Sequence, residues 1–315
     1  MKTQKTPFQK RKLIVLDTDV GTDDAFAFLA AKCLPGVSPD YIIASKGNTT
    51  LDGAVRNAII LKRTLGLQAK IVQGLVPQKD ENVNEAEKNT FHGNDGLANI
   101  SAEMAKRAGL TEAGLQDYLP FENYFEEILQ CDEILYIVIG PVTNLAASIE
   151  NEAFRSKLSG VYIMGGGIDE FNCSHDTEFN FSKDPKSVGK IFRSGLRITL
   201  FPLDLTNFRR VDREQIEALR KYGSFPDFIT FLEFNKEANR VYNRIDAAVL
   251  HDIMPMLYLQ TPGKFVFTDM QLAIDRYGAT RKAENGAAVR VVTGVEETLL
   301  AETLTEFFTN KTNLS

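Results

Sequence analysis

Four consecutive apolar residues, Leu13 to Leu16, run straight into Asp17. A run of that kind reads as a strand buried on both faces of a parallel sheet, where neither side calls for polar alternation. Asp17, Asp19, Asp23 and Asp24 follow within eight positions, and "AFAFLAAKCL" then continues as a helix. Asp23 and Asp24 fall in the first turn of that helix, where carboxylates suit the positive end of the dipole. Strand, acidic loop, helix: the acids stand at the carboxyl end of the strand.

The pattern recurs along the chain. Tyr41 to Ser45 is strand-like and leads through Asn48 into an apolar period near 3.6 residues from Val55 to Leu65. Lys70 to Gly74, Glu133 to Gly140, Gly160 to Gly167 and Leu196 to Thr206 are further strand-like runs, and Pro141 suits an early helical position after the second of these. Pro226 to Met254 reads as one helical stretch carrying His251 and Asp252. Beyond it, "KFVFTD", "QLAIDRYG" and "AVRVVTG" alternate with Gly-bearing turns before a closing helix, "EETLLAETLTEFFTN". Alternating strands and helices predict an α/β fold, a mostly parallel central sheet with helices on both faces, Rossmann-like and open. No repeat or linker interrupts it, so residues 12–315 are expected to form a single domain behind a polar tail at 1–11. Ligands of such sheets sit outside the carboxyl ends of the strands. The polar residues there are the acid cluster, Asn48, the Ile139 to Pro141 turn, Gly165 to Gly167 and Asp204.

Composition narrows the class of function. The 315 residues are 43% hydrophobic and 25% charged, which is globular, and a net charge of -6 argues against a nucleic-acid partner. Lys2, Lys5, Lys10, Arg11 and Lys12 make the tail basic, but it lacks the apolar stretch of a signal peptide or membrane span, so no membrane partner is expected. Cys33, Cys131 and Cys173 are odd in number and scattered, which is neither a disulfide framework nor a zinc spacing. A cytoplasmic enzyme acting on a small molecule fits this balance.

Four carboxylates so close raise one another's pKa unless a cation lies among them, and hard divalent cations prefer such oxygen ligands. The loop is not an EF-hand, because Gly21 and Phe28 occupy positions where acidic ligands belong. Taken singly, Asp23 or Asp24 reads equally well as a helix-capping acid. His92, His175 and His251 lie in polar, turn-like surroundings, and His251 stands out because Asp252 beside it is a further oxygen ligand. The Gly165 to Gly167 run does not match the dinucleotide fingerprint G-x-G-x-x-G. With Asn172, Glu178 and Asn180 it forms a loop rich in donors and acceptors, an inventory that suits the hydroxyls of a sugar.

Together these motifs resemble the inosine-uridine-preferring nucleoside hydrolase family over nearly the whole chain. The family signature D-x-D-P-G-x-D-D stands here as Asp17 to Asp24, followed in order by "GNTT" with Asn48, "IGPVTNLA", "MGGG" with "EFNFSKDP", "LDLT" and "AVLHD". The resemblance implies hydrolysis of the N-glycosidic bond of ribonucleosides, with Ca²⁺ held by Asp19, Asp24, the Ile139 carbonyl and Asp252. It implies that Asp19 is general base toward a metal-oriented water and that the bond breaks through an oxocarbenium-like state. Asp23 and Asn180, with Asn48 nearby, are implied to anchor the 2'- and 3'-hydroxyls, and Asn172 and Glu178 the 5'-hydroxyl. His251 stands on the leaving-group side as proton donor, His92 lies near the nucleobase, and Asp17 supports the loop from behind. A homodimer or homotetramer is likewise implied.

Departures from the family are Val20 in place of proline, Lys46 before "GN", and strands after Gly278 that look shortened and divergent. The chain has no tryptophan, whereas the purine-specific branch stacks tryptophan on the base, so an inosine-uridine or pyrimidine preference is expected. Tyr242, Asn243 and Arg244 are candidates to face the base. Two other readings compete. A haloacid dehalogenase-type phosphatase would use Asp17 as nucleophile and Asp19 as acid/base, although Gly21 stands where that motif wants Thr or Val. A non-catalytic nucleoside-binding protein would keep the metal site without turnover.

Overall fold

The apolar run at the start of the chain becomes β1 (Lys12–Thr18). Ile14 and Leu16 point into one hydrophobic core, and Leu13 and Val15 into another on the opposite face of the sheet. This two-sided burial is why the run shows no alternation. The computed structural model describes residues 11–77 and 90–310, so most of the basic tail expected at 1–11 lies outside the described residues.

The next strands are β2 (Tyr41–Ala44), β3 (Lys70–Gln73), β4 (Leu119–Pro120), β5 (Glu133–Val138), β6 (Leu158–Met164) and β7 (Ile198–Phe201). Two short strands, β8 (Arg210–Val211) and β9 (Ala248–Val249), pair with each other outside the main sheet, and β10 (Phe265–Ile274), β11 (Thr280–Lys282) and β12 (Ala287–Val295) close the series. The main sheet has ten strands in the order β11-β10-β12-β7-β6-β5-β1-β2-β3-β4. Every neighbouring pair from β12 to β4 is parallel, while β10 runs antiparallel to both β11 and β12. The chain builds outward from β1 through β2 to β4, then returns to the other side of β1 as β5. That reversal leaves a crevice above the carboxyl ends of β1 and β5, the usual place for a ligand in an open α/β sheet.

Several elements differ from the expectation. The stretch from Pro226 to Met254 is not one helix: it is helical over Pro226–Tyr242, turns through Arg244 at φ 57°, forms β9, and resumes as a helix at Met254–Gln260. Asn235 Oδ1 accepts the Val249 amide at 2.8 Å, so the segment folds back onto the helix it was expected to extend. His251 and Asp252 therefore sit on a loop. Leu196 to Thr206 is strand only over Ile198–Phe201, and after Pro202 it becomes the helical turn Leu203–Thr206. Pro141 precedes the helix Thr143–Ser148 rather than lying within it. "KFVFTD" and "QLAIDRYG" belong mainly to one continuous strand, β10, and the strands after Gly278 are β11 with three residues and β12 with nine. Among the described residues no helix is long and apolar enough to cross a membrane.

Candidate active site

Beyond β1 the chain turns through Val20 at φ 49°, a conformation closed to proline and unusual for a β-branched residue. The position that departs from the signature is thus the one whose backbone a proline could not adopt. The turn is held by Thr18 Oγ1, which accepts from Val20 N at 3.3 Å, and by Asn57 Nδ2, which donates to Val20 O at 3.4 Å. A Cβ on Gly47 would lie 1.9 Å from Asp19 Oδ2, so only glycine lets the β2 loop close onto that carboxylate.

The aspartates divide their hydrogen bonds unequally. Asp19 accepts the Asn48 amide N–H at 2.8 Å through Oδ2 and the Asn48 side-chain amide at 3.1 Å through Oδ1. Asp24 accepts from Thr18 Oγ1, from Gly21 N at 2.7 Å and from Asn48 Nδ2 at 3.1 Å. Asp23 occupies the N-cap position of the helix Asp24–Cys33, but its side chain makes no capping bond. Its Oδ1 is buried with no hydrogen-bond partner. The capping explanation fails for Asp23. Asp23, Asp24 and Asp252 bring one carboxylate oxygen each within 4.8 Å of one another.

This concentration of charge out of water is costly. Burial first, then the charges of Asp23, Asp24 and Asp19, hold the Asp252 carboxyl well above the usual range, while burial and Asp24 push Asp23 up to about 7. Asp19 is likewise held well above its ordinary value by burial and by Asp24. A hard divalent cation fits this set, because every donor is oxygen, the charge is uncompensated, and one buried oxygen has no partner. Ile139, just after β5, lines the same cavity, and its carbonyl accepts from Asn180 Nδ2 at 3.2 Å.

That cavity, of about 860 Å³, is lined on the acidic side by Asp23, Asn48, Ile139 and Asp252. Asp19 and Asp24 are not at its surface, and Asp19 lies outside the trio whose oxygens converge. Asn172, Glu178 and Asn180 line it as well. Glu178 accepts three backbone N–H groups, from Gly166 at 2.9 Å, Asn180 at 2.9 Å and Phe181 at 3.1 Å, and burial still pushes its carboxyl up to about 7. Asn172 is exposed and spends Oδ1 on the Phe179 amide at 2.9 Å. Asp204 is a loop anchor, accepting the amides of Ile168 at 2.7 Å and Asp169 at 2.8 Å.

Two of the three histidines line the cavity near the acids. His251 Nδ1 lies 2.8 Å from Thr206 Oγ1, and burial pushes its pKa down to about 4. His92 Nδ1 accepts the Thr22 amide at 3.1 Å and lies 3.6 Å from Asp23 Oδ1, with its pKa pushed down to about 3 by burial and then by His251. Thr206 and Thr22 were not singled out from the sequence, although Thr206 ends the "LDLT" motif. Phe91, Tyr242 and Asn243 also line the cavity, and Thr90 Oγ1 lies 3.1 Å from Tyr242 OH. Arg244 and the exposed Lys46 are not at its surface. Asp17 is not at the cavity either: buried, it accepts from Ser45 Oγ at 2.6 Å, Asn144 Nδ2 at 3.0 Å and Tyr136 OH at 3.0 Å. Three donors hold its carboxylate, so Asp17 supports the loop from behind.

The site thus combines an acidic, metal-fitting floor at the switch point of a parallel sheet with a loop rich in hydrogen-bond donors and acceptors, the build of a hydrolase centre. The profile of the family "Inosine-uridine preferring nucleoside hydrolase" matches residues 14–302, and the chain belongs to that family. It is an N-glycosidase. It is similar to the non-specific ribonucleoside hydrolase RihC of Escherichia coli (strain SMS-3-5 / SECEC), with 26% identity over 268 residues and 84% of each chain covered. It is also similar to probable uridine nucleosidase 2 of Oryza sativa subsp. japonica, 26% identical with 84% of this chain and 79% of that one covered. Its fold matches that of a plant nucleoside hydrolase at a TM-score of 0.82 and 24% identity, covering 96% of this chain and 99% of the other. A purine-preferring ribonucleoside hydrolase from Gardnerella vaginalis has the same fold, with a TM-score of 0.83, 20% identity and coverage of 97% and 100%.

Proposed function

We propose that this N-glycosidase is calcium-dependent and prefers inosine, uridine and pyrimidine ribonucleosides. The observation that carries the metal is the convergence of buried carboxylate oxygens from Asp23, Asp24 and Asp252, two of which belong to the ligand set, with Asp23 Oδ1 left without a donor to meet the ion or a ribose hydroxyl. In this reading Asp19, Asp24, Asp252 and the Ile139 carbonyl hold the ion. Bound there, calcium supplies a Lewis acid that orients a water and lowers its pKa.

The protein's own groups do the rest. Asp19, fixed by two bonds from Asn48, takes the proton of the attacking water. Asp23 and Asn180 hold the 2'- and 3'-hydroxyls with Asn48 beside them, and Asn172 and Glu178 hold the 5'-hydroxyl. Holding the ribose in one orientation lowers the entropic part of the barrier. When Thr206 donates to His251 Nδ1, the ring keeps its hydrogen on Nε2; with its pKa pushed down to about 4 by burial the ring is neutral at pH 7, and it serves the departing base as a hydrogen-bond donor. Phe91 and Tyr242 supply aromatic surface in a chain without tryptophan, which supports a preference outside the tryptophan-stacking purine branch.

The test is release of free base and reducing sugar from inosine, uridine, cytidine, adenosine and guanosine, with calcium and with chelator. Cleavage of inosine and uridine that chelator abolishes and calcium restores is expected, and full activity in chelator would sink the metal assignment. Asp19→Asn is expected to lower kcat by ~10²–10⁴-fold, the range for losing a general base. Unchanged kcat removes Asp19 from that role. Calcium binding without cleavage of any of the five returns the protein to a nucleoside-binding module.

A further inference from the structure

The carboxy-terminal strands reach the cavity. Tyr277 sits in the turn between β10 and β11 and lines the cavity together with His175. Their rings stack, with centroids 4.1 Å apart and planes 9° from parallel. The turn is braced by Asp275 Oδ1, which accepts the Tyr277 amide at 2.8 Å and the Ala279 amide at 3.0 Å. The Arg276 guanidinium lies 4.6 Å from the Tyr277 ring centroid.

The histidine side of the stack is held under strain. His175 and Asp176 stand at φ 61° and 54°, two successive left-handed residues that are not glycine. Such a conformation is costly for a residue with a Cβ and persists only where its surroundings over-determine it. Here the surroundings are Arg281, 3.1 Å from Asp176, a bridge between Cys173 and Thr177, and Thr177 Oγ1 donating to Ser174 O at 2.8 Å. The charged groups nearby carry both signs: Arg276, Arg281 and Lys183 against Asp176, Asp275 and Glu178. The stack therefore offers a flat, rigid surface rather than a site of net charge.

His175 lies three residues from Asn172 and three from Glu178, the pair assigned to the 5'-hydroxyl. We propose that the His175–Tyr277 stack is the wall that ends the site beyond the ribose 5' carbon, selecting nucleosides with a bare 5'-hydroxyl over those with a larger 5' substituent. The assignment rests on the ribonucleoside reading above. It makes Tyr277 a specificity residue supplied by the turn between β10 and β11.

The experiment compares uridine, uridine 5'-monophosphate and 5'-deoxy-5'-methylthiouridine in calcium, as kcat/KM and as Kd by calorimetry, for wild type, Tyr277→Ala, Tyr277→Phe and His175→Ala. Tyr277→Ala and His175→Ala are expected to raise both substituted ligands relative to uridine by ~10–100-fold, the scale of changing one pocket contact. Tyr277→Phe keeps the ring and is expected to keep the wild-type ratio. A parallel fall for all three ligands marks a merely structural pair and overturns the wall. So does a gain confined to the monophosphate, which would show selection by charge rather than size. The calorimetric ratio tests the wall even without turnover. If wild type neither cleaves nor binds uridine, the nucleoside reading itself fails.

Discussion

A carboxylate oxygen out of water with no donor beside it costs free energy, and Asp23 Oδ1 is in that position between His92 and the other acids. Asp23→Asn removes one charge from the cluster. In chelator this variant is expected to melt a degree or more above wild type, on the ~1.5 °C per kcal/mol scale for a chain of this size, while its calcium affinity falls by about tenfold or more through the loss of one negative charge beside the ion. Calorimetry reads both, and a lower melting temperature in chelator would mean the cluster is not repulsive. Glu178 makes a pH prediction away from the metal ligands. Its carboxyl titrates near 7 in the folded chain and near 4.5 unfolded, so between those values the folded state holds a proton that the unfolded state has lost. Its contribution to stability is therefore greatest below about pH 4.5, and about 3 kcal/mol is lost as pH rises through 7. Urea midpoints from pH 5 to 8 are expected to fall less steeply in Glu178→Gln than in wild type. The clustering of Asp17, Asp19, Asp23 and Asp24 was legible because their spacing is local. Which oxygen lacked a partner was not, since that depends on Asn48, His92 and Asp252 arriving from elsewhere.

At the scale of elements, the loops after β2 and β5 close on Asp19 because Gly47 and Gly140 leave room for it. Gly47→Ala would set a methyl 1.9 Å from Asp19 Oδ2, so that carboxylate has to move. Displacing a reacting group by about 1 Å can cost ~10²-fold in rate, and that loss is expected in kcat with the circular dichroism spectrum retained. Wild-type kcat would show that the loop yields instead of Asp19. The strands of the parallel sheet were legible because burial on both faces leaves uninterrupted apolar runs. The end of the long helix at Tyr242 was not, because "NRID" is compatible with helical spacing. What ends it is β9 pairing with Arg210–Val211, a contact between segments far apart in sequence.

Across the whole molecule, the reversal of strand order around β1 sets the acidic loop, the Ile139 turn and the loop at 172–180 around one crevice. An ion bound there links elements from both halves of the sheet, so calcium is expected to stabilise the folded chain by ~2.7 kcal/mol at a hundredfold excess over its Kd. Thermal melts across a calcium titration check this, and no shift would place the ion elsewhere. The α/β class, the family and the acid-bearing loop follow from sequence alone, since apolar runs and residue spacings act over a few positions. Tertiary structure alone decided that Asp23 and Asp24 converge with Asp252, that Asp17 turns away to Ser45, Tyr136 and Asn144, and that Tyr277 walls the cavity against His175. Those contacts join distant parts of the chain, and they depend on strand order and packing that no local pattern records.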